Sequence, residues 1–198
     1  MGRIVVSTNV TLDGVIEDPT GQEGFAHGGW FEQMADTDRA AWAKVETEEA
    51  LAASAILFGA RSYEWFARRW ADREGAWADR LRALPKYVVS RRPVQTAWGE
   101  VALLGGTPAG GVLSIKQAVD GDVVVYGSGR LLGTLFDHDL VDELRLMVFP
   151  TALGAGRRLF EEISGSQSLA LNRSERVGDD LLQLVYEVLP TRGQQPEQ

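Results

Sequence analysis

Short runs of apolar residues, rich in Val, Ile and Leu, recur along the chain between longer segments in which apolar residues recur at helical spacing. Each short run predicts a buried β-strand, and the six runs lie at 4–10, 54–59, 86–90, 100–104, 122–126 and 143–149. Near the C-terminus, apolar and polar residues alternate over 168–177 and 181–189, on either side of Gly178-Asp179-Asp180. This alternation predicts two antiparallel strands joined by a tight turn.

The segments between the strands predict helices over 36–53, 62–67, 72–84, 113–119 and 130–136. We expect Asp36 or Thr37 to cap the first helix, the glycines at 105–106 and 110–111 to lie in a loop, and 17–29 to form a long lid. Alternating strands and helices favour an α/β fold: a three-layer structure whose central sheet is mostly parallel, with antiparallel C-terminal strands. We expect a single domain over 1–189 and a flexible tail over 190–198.

Composition excludes several classes of function. The 198 residues include no cysteine, which excludes disulfides, thiolate metal sites and a cysteine nucleophile. Only two histidines are present, so we expect no zinc site. The net charge of −8 opposes binding to nucleic acid or to an anionic membrane. Polar residues at 7–9 interrupt the first apolar run too early for a signal peptide, so we expect a cytoplasmic protein.

Groups suited to phosphate follow three of the predicted strands: Gly59-Ala60-Arg61-Ser62, Ser90-Arg91-Arg92 and Gly127-Ser128-Gly129-Arg130. Carboxyl ends of parallel strands are where ligands bind in such sheets, and glycine turns that lead into helices can hold phosphate on backbone N–H groups. Each segment also has a plain structural explanation, namely a helix cap or a solvated basic turn. The predicted cofactor-binding residues are Gly59, Arg61, Ser62, Ser90, Arg91, Arg92, Gly127, Ser128, Gly129 and Arg130.

Five segments in this order resemble the dihydrofolate-reductase-like superfamily, in particular the C-terminal reductase domain of the bacterial riboflavin-biosynthesis deaminase–reductase. They lie at 5–15, 56–64, 87–91, 124–129 and 149–160, and the resemblance covers nearly all of 3–189. It implies a dihydrofolate-reductase-like fold, NADPH as cofactor and hydride transfer to a small pyrimidine- or pterin-like substrate. Ala60 stands where that family commonly has a cation, and the chain lacks the His-x-Glu and Cys-x-x-Cys pattern of a zinc deaminase.

We place the substrate at the end of the first strand. Asp13 is the first candidate for a catalytic acid, although Asp-Gly is also an ordinary turn. Fallback acids are Glu17, Asp36, Asp38 and Glu48. The residues predicted to contact the substrate are Trp30 and Phe31 of the lid, and Pro150, Thr151, Leu153 and Gly154 of the loop after the sixth strand.

Two other functions stay open beside the reductase. One is a nucleotide-binding or regulatory module without turnover, because no acid is evident and Ala60 departs from the family pattern. The other is dihydrofolate reductase itself. We also expect a homodimer, because the resembling family often dimerises and two-fold dimers are the commonest oligomers. All of these expectations require Arg61, Arg91 and Gly127 to converge at one rim of the sheet.

Overall fold

The structure is a computed structural model that describes residues 1–95, 98–127 and 129–190. Its strands are β1 (Arg3–Thr11), β2 (Ala55–Gly59), β3 (Lys86–Val89), β4 (Val101–Leu104), β5 (Asp122–Tyr126), β6 (Glu143–Phe149), β7 (Leu169–Val177) and β8 (Leu181–Val188). Its α-helices are α1 (Asp36–Ala52), α2 (Ala60–Trp70), α3 (Ala76–Ala83), α4 (Pro108–Ala118) and α5 (Gly129–Asp137). A 3₁₀ turn covers Trp30–Gln33.

All eight strands form one sheet in the order β4-β3-β2-β5-β1-β6-β8-β7. Strands β1 to β6 pair in parallel, and β8 pairs antiparallel with both β6 and β7. The expected α/β fold, a mostly parallel sheet with antiparallel pairing at its C-terminal end, is therefore confirmed.

Both faces of the central strands are buried, which is why β2 and most of β5 are apolar at successive positions rather than at every second one. On one face, Ile4 and Val125 belong to a core that includes α4 and α5. On the other face, Val5 and Val124 pack in a second core with α2 and α3. The strands thus form the middle one of three layers.

Helix α1 begins at Asp36 as predicted, but its cap differs from the sequence-based expectation. Helix α1 has Ala35 as its N-cap and no side-chain cap. The hydroxyl of Thr37 instead donates to the Asp179 carboxylate at 3.1 Å, and the Asp38 carboxylate accepts the N–H of Asp179 at 2.6 Å. The polar groups at this end of α1 therefore hold the β7–β8 turn rather than their own helix.

Helix α4 begins at Pro108, five residues before the predicted start. Thr107 caps the helix by accepting the N–H of Gly110 at 3.2 Å, and Pro108 is well suited to a first helical position. Gly110 and Gly111 therefore lie in the helix, not in a loop. A Cβ on Gly111 would lie 3.1 Å from the Leu104 side chain, so this glycine allows α4 to pack closely against β4.

The remaining helices differ in length. Helix α2 begins at Ala60 and extends to Trp70, whereas α3 begins only at Ala76, after Gly75 at a φ of 115°. Residues 191–198, most of the predicted tail, lie outside the described residues. Within the described part of the chain, no helix is both long and apolar enough to cross a membrane.

Candidate functional site

The ends of β2, β3 and β5 meet at one edge of the sheet. Gly59 lies opposite Val89, and Leu57 lies opposite Val125, two residues before Gly127. Because β2, β3 and β5 run in the same direction, the segments that follow them emerge side by side. Arg61, Arg91 and Gly127 are therefore brought to one rim, as the phosphate hypothesis requires.

The segment that follows β2 and the segment that follows β5 lie close together. Gly127 has a φ of 66°, a left-handed conformation that favours glycine, and a Cβ placed there would lie 3.9 Å from the Ser62 hydroxyl oxygen. Helix α2 begins directly after Gly59, and α5 begins at Gly129. The first turns of two helices, with their backbone N–H groups, therefore lie at the same rim. Ser128, also predicted here, lies outside the described residues.

The cations predicted on these segments differ in their surroundings. The guanidinium of Arg92 forms a 2.6 Å ion pair with Glu64 of α2. This contact raises the pKa of Arg92 and lowers that of Glu64. The Ser90 hydroxyl donates to the Arg92 carbonyl at 2.6 Å and accepts its N–H at 3.1 Å, so it closes its own turn. Arg61, Arg91 and Arg130 are exposed.

Arg157 is a cation at this rim to which we assigned no role from the sequence. It follows Gly156 in the loop between β6 and β7, and its side chain lies 3.6 Å from the position that a Cβ on Gly129 would occupy. Its Nε is buried and has no hydrogen-bond partner within the described ranges. Both backbone polar groups of Arg157 are hydrogen-bonded. Its N–H donates to the Glu17 carboxylate at 2.8 Å, and its carbonyl accepts the N–H of Ile16 at 3.0 Å. In the sequence, this cation could have been found from the two consecutive arginines that follow Leu-Gly-Ala-Gly at 153–156.

Asp13 is held as a carboxylate. It accepts the Thr11 hydroxyl at 2.6 Å and the N–H of Gly154 at 2.8 Å, with the N–H of Leu153 at 3.2 Å from both oxygens. These donors, that of Thr11 first, lower the pKa of Asp13 to about 2. Asp13 therefore joins the end of β1 to the loop after β6, as predicted for their positions. A group with this pKa is poorly suited to donate a proton near neutral pH.

The two lid aromatics are not available as predicted. Trp30 is 1% exposed and packs edge to face against Phe149 at 5.2 Å, and its Nε1 donates to the Glu17 carbonyl at 2.9 Å. Phe31 is also buried, 4.8 Å from Trp42 between ring centroids. We correct the expectation that Trp30 and Phe31 are exposed to contact the substrate, because both rings are part of a third apolar core with Met147 and Phe149.

The remaining residues predicted to contact the substrate, and the fallback acids, differ in exposure and in contacts. Pro150 and Gly154 are exposed, and Thr151 and Leu153 are half-buried. Among the fallback acids, Glu17 accepts the Arg157 N–H and Asp38 holds the β7–β8 turn. Asp36 and Glu48 are exposed.

A buried polar cluster, formed by Glu46, Glu49, Tyr126, Trp77 and Arg145, lies between α1, α3 and the sheet, and the sequence did not predict it. Tyr126 Oη, Trp77 Nε1 and Glu49 Oε1 are buried, and none has a hydrogen-bond partner in the described residues. Burial, and then repulsion from Glu49, raises the pKa of Glu46 well above its usual range. Burial likewise raises the pKa of Tyr126, which immediately precedes Gly127. The member of the cluster that adjoins the rim is Tyr126, the last residue of β5.

The mostly parallel sheet, with glycine turns, cations and helix starts gathered at its carboxyl edge, places the chain among the α/β proteins, in which ligands bind outside the carboxyl ends of the strands. The chain belongs to the family of the RibD C-terminal domain, whose model matches residues 3–183. This domain is the reductase part of RibD, so the family resemblance stated from the sequence is confirmed.

Individual relatives agree with this family. YyaP of Bacillus subtilis, an uncharacterized protein, is 24% identical over 189 residues, which cover 93% of this chain and 94% of YyaP. A structure from Shewanella sp. PV-4, named as a riboflavin biosynthesis protein, has a TM-score of 0.68 at 22% identity and covers 95% of this chain and 99% of its own. The Thermotoga maritima diaminohydroxyphosphoribosylaminopyrimidine deaminase/5-amino-6-(5-phosphoribosylamino)uracil reductase has a TM-score of 0.63 at 17% identity; the match covers 95% of this chain and 57% of that longer one.

Proposed function

We propose that this protein is an NADPH-dependent reductase that acts on a small pyrimidine- or pterin-like ring. The observation that carries the proposal is the convergence of Gly59, Arg61, Arg91 and Gly127 at one rim of the sheet. In a chain with a net charge of −8, such a local group of cations and backbone N–H donors favours a bound polyanion. Membership in the family of a RibD reductase domain supports the same function.

The rim has suitable groups for each anionic part of the cofactor. The backbone around Gly127 and the start of α5 suit the pyrophosphate, with Arg157 beside Gly129 as a fixed cation. Arg91, exposed at the end of β3, suits the ribose 2′-phosphate that distinguishes NADPH from NADH. The buried Nε of Arg157, which lacks a partner in the described structure, is the specific feature that a bound anion would explain.

NADPH, when bound, supplies the hydride, and the protein must orient both reactants, exclude water and hold a proton. We assign the last task to the buried polar cluster rather than to Asp13. Burial raises the pKa of the Glu46 carboxyl well above its usual range, which favours its protonated form, whereas the pKa of Asp13 is about 2. Asp13 instead positions the loop that carries Leu153 and Gly154.

The test is a titration with NADPH and NADH, followed by intrinsic tryptophan fluorescence or calorimetry. We expect NADPH to bind with a dissociation constant in the micromolar range or below. Arg91→Ala should weaken NADPH by about tenfold or more and change NADH little, because one charge-assisted contact is worth about 1.5–3 kcal/mol. Arg73→Ala, on the exposed turn after α2, is the matched control and should change neither. Absence of NADPH binding would rule out the reductase.

A binding module without turnover is the second candidate, and two observations favour it. Asp13, the predicted acid, accepts hydrogen bonds from Thr11, Leu153 and Gly154. The two rings predicted to contact the substrate, Trp30 and Phe31, are buried in the core. This candidate predicts NADPH binding without oxidation in the presence of pyrimidine or pterin substrates. Turnover that falls on Glu46→Gln, with NADPH affinity unchanged, would exclude it and support the reductase.

A further inference from the structure

Strand β1 is buried at every interior position except two. The exceptions are Thr8 and Asn9, which are half-buried between fully buried neighbours. Pairing of β1 with β5 ends at Ser7, opposite the last residue of β5, whereas pairing with β6 continues to Thr11. Beyond Ser7, the β5 side of β1 therefore has no strand beside it in the described residues. The opening next to Thr8 and Asn9 lies at the same carboxyl edge of the sheet as the rim.

One hydrogen bond fixes the orientation of the Asn9 side chain. Its Oδ1 accepts the Nε1 hydrogen of Trp42, on α1, at 3.0 Å. An indole nitrogen can only donate, so the atom that it meets is the amide oxygen and not the amide nitrogen. The other branch of the amide, Nδ2, has no hydrogen-bond partner in the described part of the chain. It is not among the buried unpaired atoms there either, so its two N–H donors are accessible.

Trp42 is itself held by aromatic neighbours. Its ring lies edge to face with those of Phe31 and Trp77, at 4.8 Å and 6.1 Å between centroids. Trp77 belongs to the buried polar cluster. Glu46 follows Trp42 by one helical turn, so both side chains lie on one face of α1. Asn9 therefore presents its donors from a rigid support, on the side of the sheet where the proposed function places the proton.

We propose that Asn9 determines substrate specificity, by donating from Nδ2 to a ring carbonyl of the pyrimidine or pterin. This inference rests on the proposed reductase function and adds to it the group that is recognised, a carbonyl oxygen rather than a ring amino group. An amino group at that place would set donor against donor and leave both unpaired, which a site built for a hydrogen bond rejects. Trp42 is a positioning residue, because its N–H holds the amide in the donating orientation.

Two ligands that differ by one group test this selection. Pterin has a ring carbonyl where 2,4-diaminopteridine has an amino group, and both can be titrated by their fluorescence in the presence of NADP⁺. The wild type should bind pterin about tenfold more tightly. Asn9→Asp turns the accessible donor into an acceptor and should reverse the preference at about pH 8, well above the usual pKa of a carboxyl group. Asn172→Asp, the same change on exposed β7, is the matched control and should leave the preference unchanged.

Trp42→Phe tests the positioning role separately. It removes the indole donor but keeps an aromatic ring, so the amide can turn either its oxygen or its nitrogen towards the ligand. The ratio of the two dissociation constants should fall towards one, while the affinity for NADPH stays unchanged. Circular dichroism establishes that each variant is folded.

A merely structural role for Asn9 predicts a different outcome: Asn9→Asp would lower the melting temperature and leave the ratio of the two dissociation constants as it is in the wild type. That result, a wild type that prefers 2,4-diaminopteridine, or a wild type that binds neither ligand would each overturn the inference. The separate titration with NADPH decides on the reductase itself, so a failure of the inference is distinguishable from a failure of the proposed function.

Discussion

Arg145→Met is the substitution for which the structure makes the most definite statement. Arg145 lies on β6, and its side chain is 18% exposed. It donates to Glu143 at 2.6 Å, to Glu49 at 2.9 Å and to Asp122 at 3.2 Å. Three carboxylates from β6, α1 and β5 thus share one guanidinium. Methionine keeps an unbranched apolar side chain there and removes the charge.

The expected loss of stability is large because the carboxylates stay buried. Removing one partner of a buried ion pair costs about 3–5 kcal/mol, since the other charge is left uncompensated. The free energy of unfolding of a domain is about 5–15 kcal/mol, so the change removes a third or more of a typical value. At about 2–4 °C per kcal/mol for a chain of this size, the melting temperature should fall by roughly 10 °C.

The loss should also depend on pH, with a sign that follows from Glu143. Burial alone raises the pKa of Glu143, but attraction to Arg145 and Arg3 more than offsets it, so the pKa is lowered. A carboxylate with a lowered pKa stabilises the fold above its unfolded pKa, and this contribution is lost in acid. Without Arg145, the effect of burial outweighs the attraction to Arg3, so the pKa of Glu143 is raised and its charged form destabilises the fold. The difference between wild type and variant should therefore be largest near pH 7 and shrink towards about pH 4.

The assay is urea and thermal unfolding followed by circular dichroism between pH 4 and pH 8. Arg68→Met, at an exposed position of α2, is the matched control, with an expected change within about 0.5 kcal/mol. A loss below about 1 kcal/mol at neutral pH, or a loss equal at all pH values, would refute the reasoning. Either result would mean that water or rearrangement compensates the three carboxylates.

Three further changes test the rim and the interior. Arg157→Ala should weaken NADPH and NADH alike by about tenfold to a hundredfold in calorimetric titrations, since it lies beside Gly129 at the phosphates common to both; Arg157→Lys should keep part of the affinity. Glu64→Gln should release Arg92 and tighten NADPH, but not NADH, a few-fold, whereas unchanged affinity would separate Arg92 from the cofactor. Burial lowers the pKa of Lys86 to about 8. The wild type should therefore gain at most about 3 kcal/mol of unfolding free energy as the pH rises from about 8 to about 10.5, and Lys86→Met should lack this gain.

The strands were the most predictable part of the fold. The runs at 122–126 and 143–149 match β5 and β6 residue for residue, because buried parallel strands are dense in Val, Leu and other apolar residues even where single charged residues such as Glu143 and Arg145 interrupt them. Helix starts were less predictable, because their polar residues choose between local and distant partners. Thr37 could cap α1, but in the fold it donates to Asp179, 142 residues further on. The sequence around Thr37 does not show whether its hydroxyl will take the local or the distant partner.

The rim was predictable for the same reason as the strands. Once a parallel sheet is inferred, the residues after its strands must share an edge, whatever their separation along the chain. Which of them are available to a ligand is a tertiary property. Arg92 meets Glu64 across 28 residues, and Trp30 packs against Phe149. From composition and spacing, Arg92 and Trp30 both look free to contact a ligand. Only the tertiary packing shows that Arg92 is paired and that Trp30 is buried.

The candidate proton donors Asp13 and Glu46 show that the chemistry of a carboxyl group cannot be inferred from the residues next to it in the sequence. Asp13 precedes a glycine at a strand end, a position that suits a turn and a catalytic group equally. Donors 140 and 141 residues away, the N–H groups of Leu153 and Gly154, fix it as a carboxylate. A proton donor needs the opposite environment, one that penalises the charge. The fold provides it at Glu46, in the interior of α1, where the sequence shows only one glutamate among several and the sheet beneath supplies the burial.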